Sequence, residues 1–255
     1  MSLKEINSHP FAQPPRAVIF DTDNTLYAYR PAHEKGMAVV RDKACRMFGL
    51  TPDSFDAHFA RARQEVKERL GEVASSHSRL LYFQRFIELV GFRTQIIASL
   101  DLAQTYWSTF LMTSRLFPDV EEFLLDLTRA GILRAVVTDL NTEIQFRKLV
   151  YFGLDNRFDF IITSEEAGRD KPDPLPFQLA LAKLDFRPEE IWMIGDHLQK
   201  DVQGARSLGM VTLQKQHAGV EIGQGSDQAD VIFDHFGELR EFFGLLQQKR
   251  WAKTG

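Results

Sequence analysis

A chain of 255 residues, 44% hydrophobic and with 21 phenylalanines, has the material for one large domain or for a core with a smaller insert. Its formal net charge of −4 comes from interspersed acids and bases, without the basic stripe that neutralises a nucleic-acid backbone, and no apolar run approaches the roughly 20 residues of a membrane span. Cys45 is the only cysteine, which excludes an intramolecular disulfide and a cysteine-rich zinc site. The polar, proline-containing start, residues 1–15, has no signal-like apolar stretch and is expected to be a loose tail on a cytoplasmic protein.

Ala17-Val18-Ile19-Phe20 then runs without polar alternation into Asp21-Thr22-Asp23-Asn24-Thr25. That pattern predicts a strand buried on both faces, the kind found in parallel sheets whose ligands bind past the strands' carboxyl ends. On their own, Asp21 and Asp23 fit a capped turn equally well. Residues 29–113 predict no strand but four helices. The first runs from Pro31 to about Phe48 and is stopped by Gly49. The second starts at Pro52 behind an N-capping Thr51, points Phe55, Phe59, Val66 and Leu70 inward, and closes at Gly71. A third over 76–90 is expected to bury Leu80, Phe83, Ile87 and Val90. A fourth over 94–112 is expected to bury Ile97, Leu100, Tyr106 and Phe110. Such a run reads as a small antiparallel bundle.

From Leu116 onward helices and strands alternate, which predicts βαβ units. Helices are expected over 118–127, 143–152, 174–184, 198–208 and 236–248. Strands are expected over 133–139, 158–163, 191–194, 211–213 and 231–233. The fold class is α/β: a Rossmann-like parallel sheet with helices on both faces, built from residues 16–28 and 114–255 and interrupted by the bundle at 29–113. An insertion beginning a few residues after Asp23 is expected to cover the sheet's carboxyl edge as a lid.

Polar groups mark the strand ends: Asp21 and Asp23, Thr138-Asp139, Lys171 in Gly168-Arg169-Asp170-Lys171-Pro172, and Gly195-Asp196 with Asp201. If these converge, Asp21, Asp23, Asp196 and Asp201 face one obvious cation, Lys171. Two like charges ~4 Å apart repel by about 4 kcal/mol at an effective dielectric near 20, so the cluster calls for a cation or for bound protons. Mg²⁺, which favours a few carboxylates together with substrate phosphate, suits the site. Thr138, nearby N–H groups and Lys171 suit a phosphate dianion. A pair of acids two residues apart can split the work of phosphate-ester cleavage. Asp21 attacks phosphorus, and Asp23 protonates the leaving alkoxide and then takes a proton from water.

In order and spacing, across roughly residues 17 to 235, these four groups resemble the motifs of the haloacid dehalogenase-like hydrolase superfamily, and the helical insert resembles its α-helical cap. The resemblance implies Asp21 as nucleophile and Asp23 as general acid/base that also lends its backbone carbonyl to Mg²⁺. It implies Asp21 and Asp196 as direct metal ligands and Asp201 as a ligand, directly or through water. Thr138 and Lys171 would bind the phosphoryl group, with Asp139 adding its backbone N–H. Asp139 departs from the more usual Asn or Ser. Family members that displace halide lack the second aspartate, so Asp23 points to a phosphatase acting on a small phosphorylated metabolite. A sugar phosphomutase using the same intermediate is the alternative, followed by a dehalogenase and by a non-catalytic relative. Tyr27, Tyr29, Arg30 and His33 stand at the entry to the cap. Arg30 is expected to be exposed and His33 to be a surface residue at a helix start.

Overall fold

The computed structural model describes residues 3–8, 11 and 13–254. The chain divides into two compact units, one of Met1–Tyr27 with Leu116–Gly255 and the other of Ala28–Arg115.

The first unit is built on a seven-stranded sheet. In chain order its strands are β1 Lys4–Glu5, β2 Ala17–Phe20, β3 Leu133–Thr138, β4 Phe160–Thr163, β5 Ile191–Gly195, β6 Val211–Lys215 and β7 Val231–Phe233, and across the sheet they lie β1-β7-β6-β5-β2-β3-β4. All neighbours are parallel except β1, which pairs antiparallel with β7. The strand predicted before the two aspartates is central, with Phe20 abreast of Val136 on β3 and Ile194 on β5. Helices cover both faces, the Rossmann-like arrangement that the alternating sequence predicts. Because side chains alternate along a strand, β2 feeds two cores. Ala17 and Ile19 join Phe177, Ala180 and Leu184 of the helix Pro174–Leu184. Phe20 packs edge-on against Phe123 of the helix Val120–Arg129, 6.1 Å between ring centroids. Each fully buried isoleucine, leucine or phenylalanine side chain among them contributes about 1.5–3 kcal/mol of apolar burial.

The polar start is not wholly loose. Lys4 lies opposite Ile232 and Glu5 opposite Val231, and Phe11 is buried with its ring 5.4 Å from Trp192 and 5.2 Å from Phe242.

The second unit is all helical: α1 Tyr29–Phe48, α2 Pro52–Leu70, α3 Arg79–Leu89 and α4 Ile96–Thr113. Its ends follow the sequence signals. Gly49 takes the left-handed conformation that closes α1, and the Thr51 hydroxyl accepts from the Ser54 N–H at 3.2 Å to start α2. Phe55, Phe59 and Val66 of α2, Phe83 and Ile87 of α3, and Tyr106 and Phe110 of α4 are buried. Three residues expected inside are not. Ile97, Leu100 and Leu80 are exposed, Ile97 at 84%. On α4 the inward stripe is Ser99, Leu102, Ala103, Tyr106, Trp107 and Phe110, which a 3.6-residue repeat places opposite Ile97. On α3 it is Arg79, Tyr82, Phe83, Phe86 and Ile87, leaving Leu80 outside. Among the described residues no helix is long and apolar enough to cross a membrane.

Candidate active site

Every residue of the site lies in the sheet-bearing unit, at the carboxyl ends of its central strands. Continuing α numbering along the chain, that unit contributes α5 Val120–Arg129, α6 Thr142–Tyr151, α7 Ser164–Ala167, α8 Pro174–Leu184, α9 Gly204–Arg206 and α10 Phe236–Thr254. Asp21 follows β2 directly, and its N–H donates to the Ile194 carbonyl at 2.9 Å, so the carboxylate is fixed at the sheet edge. Thr138 ends β3. Lys171 comes from the loop between α7 and α8. Asp196 follows β5, and Asp201 lies on the wide helical turn Leu198–Gln203.

Lys171 ties these ends together. Its Nζ donates to Asp21 Oδ1 at 2.7 Å, to Asp201 Oδ1 at 2.6 Å and to the Val137 carbonyl at 3.0 Å. One carboxylate oxygen from each of Asp21, Asp196 and Asp201 falls within 4.8 Å of the others. All three residues are buried, so their charges are poorly screened. Burial pushes the Asp21 carboxyl well above its usual range; Lys171 opposes this, while Asp201, Asp196 and Asp23 add to it. Asp201 is raised in the same way, by burial against the pull of Lys171. Burial by itself would lower the Lys171 ammonium, but Asp201, Asp21 and Asp139 outweigh it and hold the lysine charged. Three buried carboxylates whose oxygens lie this close together are a donor set fit for a hard divalent cation.

The backbone makes room for this cluster. A β-carbon on Gly195 would lie 2.4 Å from the side chain of Asp201, whose Oδ2 also accepts from the His197 N–H at 3.0 Å. Gly195→Ala should therefore displace Asp201 and cost about 1–3 kcal/mol of stability, measurable by urea denaturation.

Asp23 has different company. Its carboxylate is not part of the metal-suited triad; Lys148 Nζ donates to Oδ1 at 2.8 Å, and the Tyr27 hydroxyl bonds the same oxygen. The Asp23 side chain is 29% exposed while that of Lys148 is 2% exposed, so a buried cation steadies a carboxylate that water can reach. The expectation of a single facing cation is thus corrected: Lys148 stands on Asp23, and Lys200 donates to Asp139 Oδ2 at 2.7 Å. Asp139 accepts through its other oxygen from the Lys171 backbone N–H at 2.9 Å, so its side chain holds the lysine loop against β3. Thr138 receives a hydrogen bond from Gln145 Nε2 at 2.9 Å and lies 2.8 Å from the Thr22 hydroxyl. His217 Nε2 reaches Asp196 Oδ2 at 3.0 Å, a bond that raises the imidazole above its usual value.

Lys148, Gln145 and Lys200 are absent from the sequence reading, in which Tyr27 stands at the cap entry and not beside Asp23. A signal for two of them exists. On α6 the polar residues Gln145 and Lys148 are buried, while Phe146, Val150 and Tyr151 are exposed, an inversion of the usual amphipathic pattern. Replacing Lys148 by Met keeps the volume and removes the ammonium. A loss of about tenfold to a hundredfold in kcat/KM is expected from the misdirected Asp23, checked by initial rates on p-nitrophenyl phosphate.

The sequence and the fold both have counterparts among known proteins. A family profile described as haloacid dehalogenase-like hydrolase matches residues 15–209. The chain belongs to the haloacid dehalogenase-like hydrolase family. This hydrolase is 37% identical over 233 residues to a ribulose-1,5-bisphosphate 5-phosphatase of Halopiger xanaduensis, a match covering 88% of the chain and 98% of the relative. It is 33% identical over 236 residues to a glyceraldehyde 3-phosphate phosphatase of Methanopyrus kandleri, covering 91% and 97%. Among solved structures it is similar to a HAD phosphatase from Thermococcus onnurineus, with 27% identity, a TM-score of 0.66 and coverage of 90% of this chain and 98% of that one. A 2-haloacid dehalogenase from Pseudomonas syringae shares the fold at a TM-score of 0.72 and 23% identity, covering 93% and 99%.

Proposed function

We propose that this hydrolase is a Mg²⁺-dependent phosphatase that cleaves a sugar phosphomonoester through an aspartyl-phosphate on Asp21. The observation that carries this reading is the unlike setting of two neighbouring acids. Asp21 is buried against Lys171, whereas Asp23 is partly open to water and steadied by Lys148 and Tyr27. Unlike settings let one acid act as nucleophile and the other carry protons.

Thr138, Lys171 and the Asp139 N–H hold the phosphoryl group, and Asp139 and Lys200 keep the lysine loop in place. An Asp21 oxygen forms a bond to phosphorus as the bond to the alkoxide breaks. Asp23 gives its proton to that alkoxide. Asp23 next removes a proton from water, whose oxygen attacks phosphorus, releases inorganic phosphate and restores the Asp21 carboxylate. The carboxylates of Asp21, Asp196 and Asp201, which lie together, would hold Mg²⁺ with the Asp23 backbone carbonyl, and the ion would supply positive charge to the crowded carboxylates and the phosphate.

The names of the relatives support small phosphorylated sugars as the substrate class, and a cytoplasmic setting goes with such metabolites. The helical unit takes the part of the cap that selects the leaving group. A panel of sugar phosphates, phosphoglycolate and p-nitrophenyl phosphate, assayed with MgCl₂ for phosphate release, tests the reading. Release from at least one sugar phosphate is the expected result. No release from any member would overturn it, and isomerisation without release would replace the hydrolase with a mutase.

A further inference from the structure

The inward stripe of α3 opens with an arginine where the pattern calls for an apolar residue. Arg79 is 8% exposed. Its Nη1 donates to the His77 carbonyl at 2.9 Å, and its Nη2 donates to the hydroxyls of Tyr29 and, at 3.4 Å, Tyr106. The guanidinium carbon also lies 5.0 Å from the Tyr106 ring, 5.5 Å from Tyr82 and 5.6 Å from Trp107. These partners are neutral. Burial holds the Tyr106 phenol above its usual value, so it does not supply a charge. Among the described residues Arg79 makes no ion pair, whereas buried guanidinium groups are ordinarily matched with a carboxylate.

The groups around it lean the same way. His33 Nδ1 lies 2.7 Å from the Tyr106 hydroxyl, and its ring stacks on Tyr29 at 5.4 Å. Burial, then Arg79 and Arg63, push His33 down to about 4, so at neutral pH it is uncharged. The Tyr106 hydroxyl, which accepts from Arg79, thus shares hydrogen bonds with both the guanidinium and the His33 imidazole. Arg30, the cation expected at the cap entry, is by contrast exposed and paired with Glu34 at 2.8 Å. His33 is half-buried, not the surface residue expected.

We propose that the helical unit carries an anion-binding site of its own, in which Arg79, Tyr29, Tyr106 and His33 take a phosphate or carboxylate group. A planar guanidinium backed by hydroxyl and imidazole donors is the usual apparatus for such a group. The anion is either a second anionic group of the substrate, an assignment that rests on the phosphatase reading, or a free anion.

The full chain and Arg79→Gln decide the matter. For the substrate source, the ratio of kcat/KM on a pentose bisphosphate to that on p-nitrophenyl phosphate should fall by about tenfold or more in the variant. For the free-anion source, that ratio stays level, while the saturable rise in Tm given by added sodium sulfate is smaller in the variant than in the native chain. Tyr29→Phe with His33→Asn, which leaves the guanidinium in place, should move the same readout in the same direction by several-fold. If Arg79→Gln does not fold, this second variant alone decides. An unchanged substrate ratio together with unchanged sulfate protection would overturn the proposal. Native protein inactive on every phosphomonoester would overturn the phosphatase reading instead, and the sulfate comparison would still report on the anion site.

Discussion

Asp21→Asn is expected to lower kcat/KM on p-nitrophenyl phosphate by on the order of 10⁴-fold or more, while its Tm in the absence of divalent ions is held or slightly raised. An amide cannot form the acyl phosphate, so the covalent route closes while Thr138 and Lys171, the phosphate-binding groups proposed above, stay in place. Stability should move the other way because the raised Asp21 carboxyl marks an ionised form that folding disfavours. At neutral pH, removing that charge removes a cost. Lys171 keeps two acceptors, Asp201 and the Val137 carbonyl, and does not become a stranded cation. Initial rates with MgCl₂ and a thermal melt without divalent ions check both halves. Turnover undiminished in the variant would end the assignment of Asp21 as nucleophile.

Chelation should have the second large effect. Stripping divalent ions is expected to abolish turnover and to lower Tm. Mg²⁺ at a hundred times its Kd contributes about 2.7 kcal/mol to the folded state, or roughly 5–10 °C for a chain of this size. The reason is the crowding of Asp21, Asp196 and Asp201, which one internal lysine only partly offsets. Asp196→Asn removes a donor without touching the Lys171 bonds, so it should flatten the dependence of Tm on MgCl₂ as well as lower activity. A Mg²⁺-dependent rise in Tm that survives in Asp196→Asn would place the ion elsewhere.

Several parts of this fold and site were legible in the sequence for physical reasons. Ala17–Phe20 and Ile191–Ile194 are unbroken apolar runs, and only a doubly covered strand accepts such a run, so the acids that follow them must fall at a sheet edge. Lys171 stands out because a lysine beside that edge meets several carboxylates. What escaped the reading is polar chemistry carried on helices. Gln145 and Lys148 belong to a turn of α6 that faces inward, and periodicity assigns inward faces to apolar residues. The same rule misplaced Ile97 and Leu100 on α4. Two hydrophobic stripes compete there, and contact with α1 and α3, not hydrophobicity, picks Trp107 over Ile97. Arg79 escaped for the same reason, as an arginine on the buried stripe of α3.

The short clasp where the chain leaves and re-enters the sheet-bearing unit has a consequence for how such proteins are assembled. Tyr27 and Leu116 form an antiparallel bridge, and the Phe117 N–H donates to the Leu26 carbonyl at 2.9 Å. The two ends of the insertion are therefore hydrogen-bonded neighbours inside the unit that hosts it. Closing a loop between neighbouring ends costs entropy that grows only with the logarithm of the loop's length, about 0.6 kcal/mol for each doubling. The host consequently tolerates inserts of very different size at this one point for nearly the same penalty. Exchange of the whole helical unit, more than point substitution within it, is a route by which one phosphoryl-transfer scaffold can be refitted to new leaving groups.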